Sequence, residues 1–356
     1  MSGSTMAEFE ARARELSAAD YDRWLIVCHL LDRGMNVHLL PGGVAFTNSE
    51  AGKGMAFLGM SSASTTSFGG MAMSRRVTSA WPLLEEAGLP VPLWRAFKAT
   101  AAKTAGRFAE EAGYPVVVTT EKGERFWAVE SQDQLRSAME RIQAGPKPHK
   151  TIIRKKLTGG TMRFLLLEDR PLLVMAQQPD AAPALLRDED ISPGLLRLAQ
   201  QALRAVPGIE LGEVLMELDV QNPSATKNDI QVVQVNPAPS LRVYGKEETA
   251  SHQYAVRAVV EHHAEEEGIS LPALQSVDMV RLECSGLIVP EEFYENVSTA
   301  AAALGCDLAL EDVPAEESLS MTSAGAAEAS ALLASTALTG VGSKKHKAHM
   351  VSVSPV

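Results

Sequence analysis

Cysteine is scarce and badly placed for cross-linking: Cys28, Cys284 and Cys306 are the only three in 356 residues, odd in number, far apart and without CxxC spacing. That pattern excludes a disulfide framework and fits a reducing compartment, so a cytoplasmic protein is expected. Excess positive charge is lacking as well. The chain has 33 Lys and Arg against 44 Asp and Glu, a formal net charge of −11 and a pI near 5.3. No basic field is left for a phosphate backbone, and nucleic acid is excluded as an expected partner. The opening MSGSTMAEFEARARELSAADYDRW has no apolar signal-peptide core, and no uncharged run reaches membrane-spanning length, so no membrane association is expected.

What is present is an ordinary globular composition, 46% hydrophobic and 22% charged. The length exceeds the ~250–300 residues at which single cores stop growing, so more than one domain is expected. Residues 7–33 set Leu16, Leu25, Val27, Leu30 and Leu31 among charges and read as one or two helices broken at Gly34. NVHLL and VAFTN read as strands around a Pro-Gly-Gly turn, and the Ser/Thr/Gly-rich segment 61–70 reads as an exposed loop. Residues 77–87 read as a helix closed by Gly88, and Pro90 and Pro92 set a boundary near 92.

An alternation follows: strand WRAFKA, helix TAAKTAGRFAEEA, strand VVVTT, a hairpin turn at Lys122-Gly123, strand RFWAV and a helix with Ser131 as N-cap. TIIRKKL opens the next strands, FLLLED and PLLVMAQ form an antiparallel pair, and residues 177–193 read as a linker. Helix GLLRLAQQALRAV leads to strands EVLMELDV and IQVVQVN, the latter stopping at Pro237, and chemistry is expected at that strand end. The run Arg154-Lys155-Lys156 reads first as a solvated strand edge, since lysines blunt edges. The acidic stretch 261–268 reads as a joint between domains, and 277–356 reads as βαββαβ, the split, ferredoxin-like order.

Three of these segments, in order, resemble the ATP-grasp family, in particular the ligase domain of cyanophycin synthetase and its relatives. TSAWPLLEEAGLPVP is similar to the helix and turn before the ATP-grasp domain. TIIRKKLTGGTMRFLLLEDRPLLVMA resembles the hinge and two strands that follow, with Gly159 and Arg163 in place, and VVQVNPAPSLRVY resembles the element that closes the metal site. The resemblance implies an α/β and α+β chain: an ATP-grasp fold of a pre-ATP-grasp lobe (1–92) and two α+β subdomains (93–265), then a ferredoxin-like βαββαβ domain (275–356). VRLECSGLIVPEEFYENVSTAAAALG makes that tail similar to acylphosphatase, with Tyr294 and Asp312 at positions where that family uses an arginine and an asparagine.

The activity implied is ATP-dependent joining of a carboxylate to an amine through an acyl-phosphate, with an amino acid or small peptide as substrate and homodimerisation as a family-level expectation. Such chemistry needs cations and Mg2+ around a triphosphate. The resemblance assigns Arg163 and Arg242 to catalysis, Arg76, Lys122, Lys155 and Lys156 to ATP, and Glu217, Gln234 and Asn236 to magnesium, with Asp219 as a substitute carboxylate. It also marks departures. Thr119 stands where a lysine is expected, Val77 replaces a helix lysine, Arg154 replaces the hinge glutamate and Gln234 replaces a bridging glutamate. Local hydrogen bonding is the competing reading for Glu217 and Asn236, and a salt bridge the competing one for Arg163. Two functions therefore stand side by side: a ligase, and a catalytically inactive ATP-grasp-like protein that binds or regulates a partner.

Overall fold

A computed structural model describes residues 6–48, 52–120, 126–145, 150–219, 229–245, 249–311, 317–340 and 347–356. Helices α1 (Met6–Ala13) and α2 (Ala18–Leu31) lead to strands β1 (Val37–Leu40), β2 (Val44–Asn48), β3 (Gly54–Leu58) and β4 (Ser61–Ser62). Helices α3 (Phe68–Ser74) and α4 (Val77–Glu86) precede β5 (Trp94–Phe97), α5 (Ala102–Ala112), β6 (Val116–Thr120), β7 (Phe126–Val129) and α6 (Gln132–Gln143). Next come β8 (Thr151–Lys155), β9 (Gly160–Leu167), β10 (Arg170–Gln177), β11 (Ala184–Leu185), α7 (Pro193–Arg204), β12 (Leu211–Leu218) and β13 (Ile230–Asn236). Helix α8 (Thr249–Glu267) is followed by β14 (Met279–Ser285), α9 (Pro290–Leu304), β15 (Asp307–Leu310), β16 (Ser318–Ala324), α10 (Ala327–Thr339) and β17 (Met350–Pro355).

Two compact units result. Residues 65–238 form one, and residues 1–64 with 239–356 form the other. The division does not follow boundaries at 92 and 275, because strands from both ends of the chain share one sheet, ordered β15-β16-β14-β17-β1-β2-β3-β4. Within it the tail keeps the strand-helix-strand-strand-helix-strand order, and β17 pairs on its outer side with β1 through Val37–Val353, His38–Ser352 and Leu39–Val351. Among the described residues no helix is long and apolar enough to cross a membrane.

The unit of residues 65–238 carries two antiparallel sheets. In the first, ordered β5-β8-β6-β7, helices α5 and α6 bury Phe108, Leu135, Met139 and Ile142 against Val116, Val118 and Ile153. The Arg154 run is therefore not a strand edge: β8 is paired on both sides, by β5 and β6, and Arg154 is only 4% exposed. In the second sheet, ordered β11-β10-β9-β12-β13, alternation decides which side is core. Met162, Phe164, Leu166, Val214, Met216 and Leu218 pack with α4 and α7, which turns Thr161, Arg163, Glu213 and Glu217 to the other face.

Three local expectations are corrected. The 61–70 segment is not an exposed loop: Ser61, Ser62 and Thr65 are buried, and Ser67 caps α3 by accepting the Gly70 N–H. A methyl group at Gly70 would sit 2.6 Å from the Gly208 carbonyl oxygen, so this chain crossing requires glycine. The linker 177–193 contains the short strand β11, paired with β10. Residues 261–268 are no joint, since α8 runs through them to Glu267 and stops before Gly268, whose φ is +63°.

Candidate functional site

The polar face of the second sheet begins with register. On β12, Glu217 stands opposite Thr161 of β9 and Gln231 of β13, while Leu215 stands opposite Arg163 and Gln234. A bulge at Leu215/Met216 shifts the pairing of β12 with β13, and Gln234 and Asn236 follow beyond it toward the strand end. Gly159 admits the chain just ahead of β9: a methyl there would lie 2.4 Å from the Asp219 backbone, and its N–H donates to the Leu218 carbonyl at 2.7 Å.

Arg154 reaches from the first sheet to the second and takes the carboxylate expected to hold magnesium. Its Nη1 donates to Glu217 Oε2 at 3.0 Å and its Nη2 to Oε1 at 2.7 Å. Oε2 also accepts the Leu157 N–H at 3.0 Å and Gln231 Nε2 at 2.7 Å. The side chains are 5% and 7% exposed, so the pair is nearly dry. A bidentate guanidinium and two further donors satisfy this carboxylate without a metal.

Arg163 is matched by a second arginine–carboxylate pair, its Nη1 lying 2.7 Å from Oε1 of the buried Glu213. Lys155 turns away from the sheet face, and its Nζ donates to the Ala112 and Gly113 carbonyls at 2.8 and 3.3 Å, closing the carboxyl end of α5. A cation there complements the helix dipole. Lys156 is half-buried and its N–H donates to the Pro115 carbonyl. Arg76 is exposed at the N-cap position of α4 and makes no side-chain cap. Asn236 Oδ1 accepts the Ala238 N–H at 3.1 Å, a local turn bond. Asp219 is exposed at the end of β12. Lys122, with the hairpin turn around it, and Asp312 lie outside the described residues.

Arg242 belongs to the other compact unit. There its Nη1 donates to the Leu16 carbonyl at 2.6 Å. Burial pushes the nearby Asp22 carboxyl up to about 7, although Ser240, the Leu241 N–H and Arg242 all pull it down.

Sequence positions far apart do converge on one small cavity of about 110 Å3, lined by Arg75, Val77, Trp81, Thr119, Arg154, Gln234 and Asn236. Trp81 is fixed by an Nε1 bond to the Val233 carbonyl at 2.9 Å and packs on Trp94 at 5.3 Å between ring centroids. Ligand pockets run to roughly 300–1,000 Å3, so this space is too small for a nucleotide. Among the described residues no three His, Cys, Asp or Glu side chains gather as a metal site. The described residues, with Glu217 held by Arg154 and Gln234 in place of a second carboxylate, do not fit Mg2+-ATP.

Glu213 and Gln231 were not singled out in the sequence. The period of two along β12 and β13 places both on the polar face, and that was the signal available for them.

No protein-family model and no curated protein matches the sequence. Solved structures do overlap parts of it. D-alanine–D-alanine ligase from Bacillus anthracis is 13% identical at a TM-score of 0.46, covering 57% of this chain and 71% of that one. The ATP-grasp ligase PsnB, complexed with a phosphomimetic variant of its minimal precursor, Mg and ADP, is 17% identical at 0.44, covering 56% and 61%. A bifunctional glutathione synthetase from Pasteurella multocida is 15% identical at 0.48, covering 70% and 44%. The chain thus spans 61% and 44% of the last two.

Proposed function

We propose that residues 65–238 are an ATP-grasp-type module that has exchanged its metal site for an internal ion pair, and that the protein acts by binding or regulating a partner rather than by ligation. The observation that carries this reading is the Arg154–Glu217 fork. At the position of a hinge glutamate the chain places a cation, and that cation consumes the carboxylate a magnesium ion would need. The space left beside it, about 110 Å3, supports the same reading. Thr119 and Val77, at two expected lysine positions, line that space and bring no charge to a triphosphate.

The βαββαβ tail is a ferredoxin-like, acylphosphatase-related element turned to a structural purpose, since β17 extends the sheet through β1. Arg163, with its carboxylate partner Glu213, serves the sheet face and not an acyl-phosphate.

Calorimetric titration of the full chain with ATP and Mg2+, with ADP release measured in the presence of amino acids, is the test. We expect no saturable heat at about millimolar ATP and no ADP. Binding about a thousand-fold tighter, abolished by Arg75→Ala or Asn236→Ala and accompanied by ADP release, would overturn the proposal in favour of a ligase.

A further inference from the structure

In the unit of residues 1–64 and 239–356, helices α2, α8 and α10 and Leu274 line a half-open cavity of about 380 Å3, well above the one at the strand ends and within the roughly 300–1,000 Å3 range of ligand sites. Its lining combines two carboxylates, Asp32 at the end of α2 and Glu328 on α10, with an apolar and aromatic wall that includes Tyr254 and Leu274. Those two wall residues are 45% and 55% exposed, large for such side chains in a folded protein. Neither carboxylate has a hydrogen bond or ion pair among the described residues.

We propose that this cavity binds a small organic ammonium ion with an apolar body, the ammonium group lying between Asp32 and Glu328 and the body against Tyr254 and Leu274.

The other occupants fit less well. An anion meets two carboxylates. A neutral molecule leaves their mutual repulsion in place; burial, and next to it the charge of Glu328, already pushes Asp32 up to about 6. A metal ion would want a third ligand; burial pushes the Cys28 thiol on the wall well up, which keeps it protonated, and His29 does not supply one either. Its Nε2 accepts from Arg33 Nε at 3.1 Å, and burial beside Arg33 pushes the ring down to about 4, so it is neutral and offers only an N–H. Arg257, the cation on the cavity wall, is drawn toward Glu261 by its Nε at 2.9 Å, a carboxylate oxygen it shares with Arg33. An ammonium ion neutralises both carboxylates at once, and the exposed Tyr254 ring adds a cation–π face.

The test uses the full chain and two probes of one shape, phenethylamine and phenethyl alcohol, followed by calorimetry or ligand-observed NMR at neutral pH. We expect the amine to bind at least about ten-fold more tightly than the alcohol. Asp32→Asn and Glu328→Gln should each weaken the amine by about five-fold or more and leave the alcohol unchanged. Thermal melting checks that each variant folds, and either variant alone decides the matter. No saturable amine binding up to about 10 mM, equal affinity for both probes, or amine binding that survives in a folded carboxylate variant would overturn the proposal.

Discussion

Each terminal nitrogen of Arg154 donates to a different oxygen of Glu217, and the two strands that supply them, β8 and β12, belong to different sheets of one unit. The pair is a charged rivet between two sheets. Desolvation makes such a contact costly to half-remove and cheap to replace outright.

Arg154→Ala or Glu217→Ala should therefore destabilise the protein by ~3–5 kcal/mol, since each leaves a buried charge without its partner. The double change Arg154→Met with Glu217→Leu should recover most of that loss. Urea unfolding of the three variants checks it, and a double variant no better than the singles would refute the account.

Asp22 sets a pH dependence whose sign is fixed. Its carboxyl titrates near 3.8 in the unfolded chain and at about 7 in the folded one, so the folded state holds the proton more tightly. The associated stability is fully present below about 4 and is lost as pH rises to about 7. His29, lowered to about 4, acts in the opposite sense below 6.5, so the wild-type curve alone does not isolate Asp22. The difference between wild type and Asp22→Asn does. Melting temperatures from pH 4 to pH 8 should show the variant gaining relative stability across that window.

Gly159→Ala should cost roughly 1–3 kcal/mol, the usual penalty for forcing a methyl into packed space. The added carbon would meet the Asp219 backbone at 2.4 Å. Chemical denaturation reads the change, and a neutral substitution would mean that the 159–160 crossing is looser than its geometry.

Lys155→Met should lower stability by about 1 kcal/mol, through the bonds it makes to the last carbonyls of α5. Hydrogen exchange should rise at the carboxyl end of that helix and nowhere on the polar sheet face. Protection lost instead at Gln234 or Asn236 would return Lys155 to the site.

The sequence made some features readable and hid others for a physical reason. Alternation along 211–218 and 230–236 separated core from polar face, and the Ser131 cap and the hairpin of β9 and β10 rest on contacts between near neighbours. Arg154 was different. Whether a strand is an edge depends on what comes alongside it, and β5, which covers β8, lies far back in the chain. The burial of Thr65 was equally distant, since its carbonyl accepts the Glu210 and Leu211 N–H groups. The resemblance drew attention to positions that do meet at one cavity, among them Thr119, Arg154 and Gln234. It gave no indication that Arg154 would be bonded to Glu217, because a family pattern records which residue types changed and not which new partner each found.

The ladder between β1 and β17 imposes an order on synthesis. The hairpin of β1 and β2 leaves the ribosome early, with one edge of unpaired amides and carbonyls open to any passing strand, and it stays open until Met350–Pro355 has emerged. Residues 65–238, by contrast, carry both of their sheets within one continuous stretch and are translated inside that interval. The nascent chain thus completes its middle before its beginning, and the early hairpin is the segment that most needs shielding while it waits.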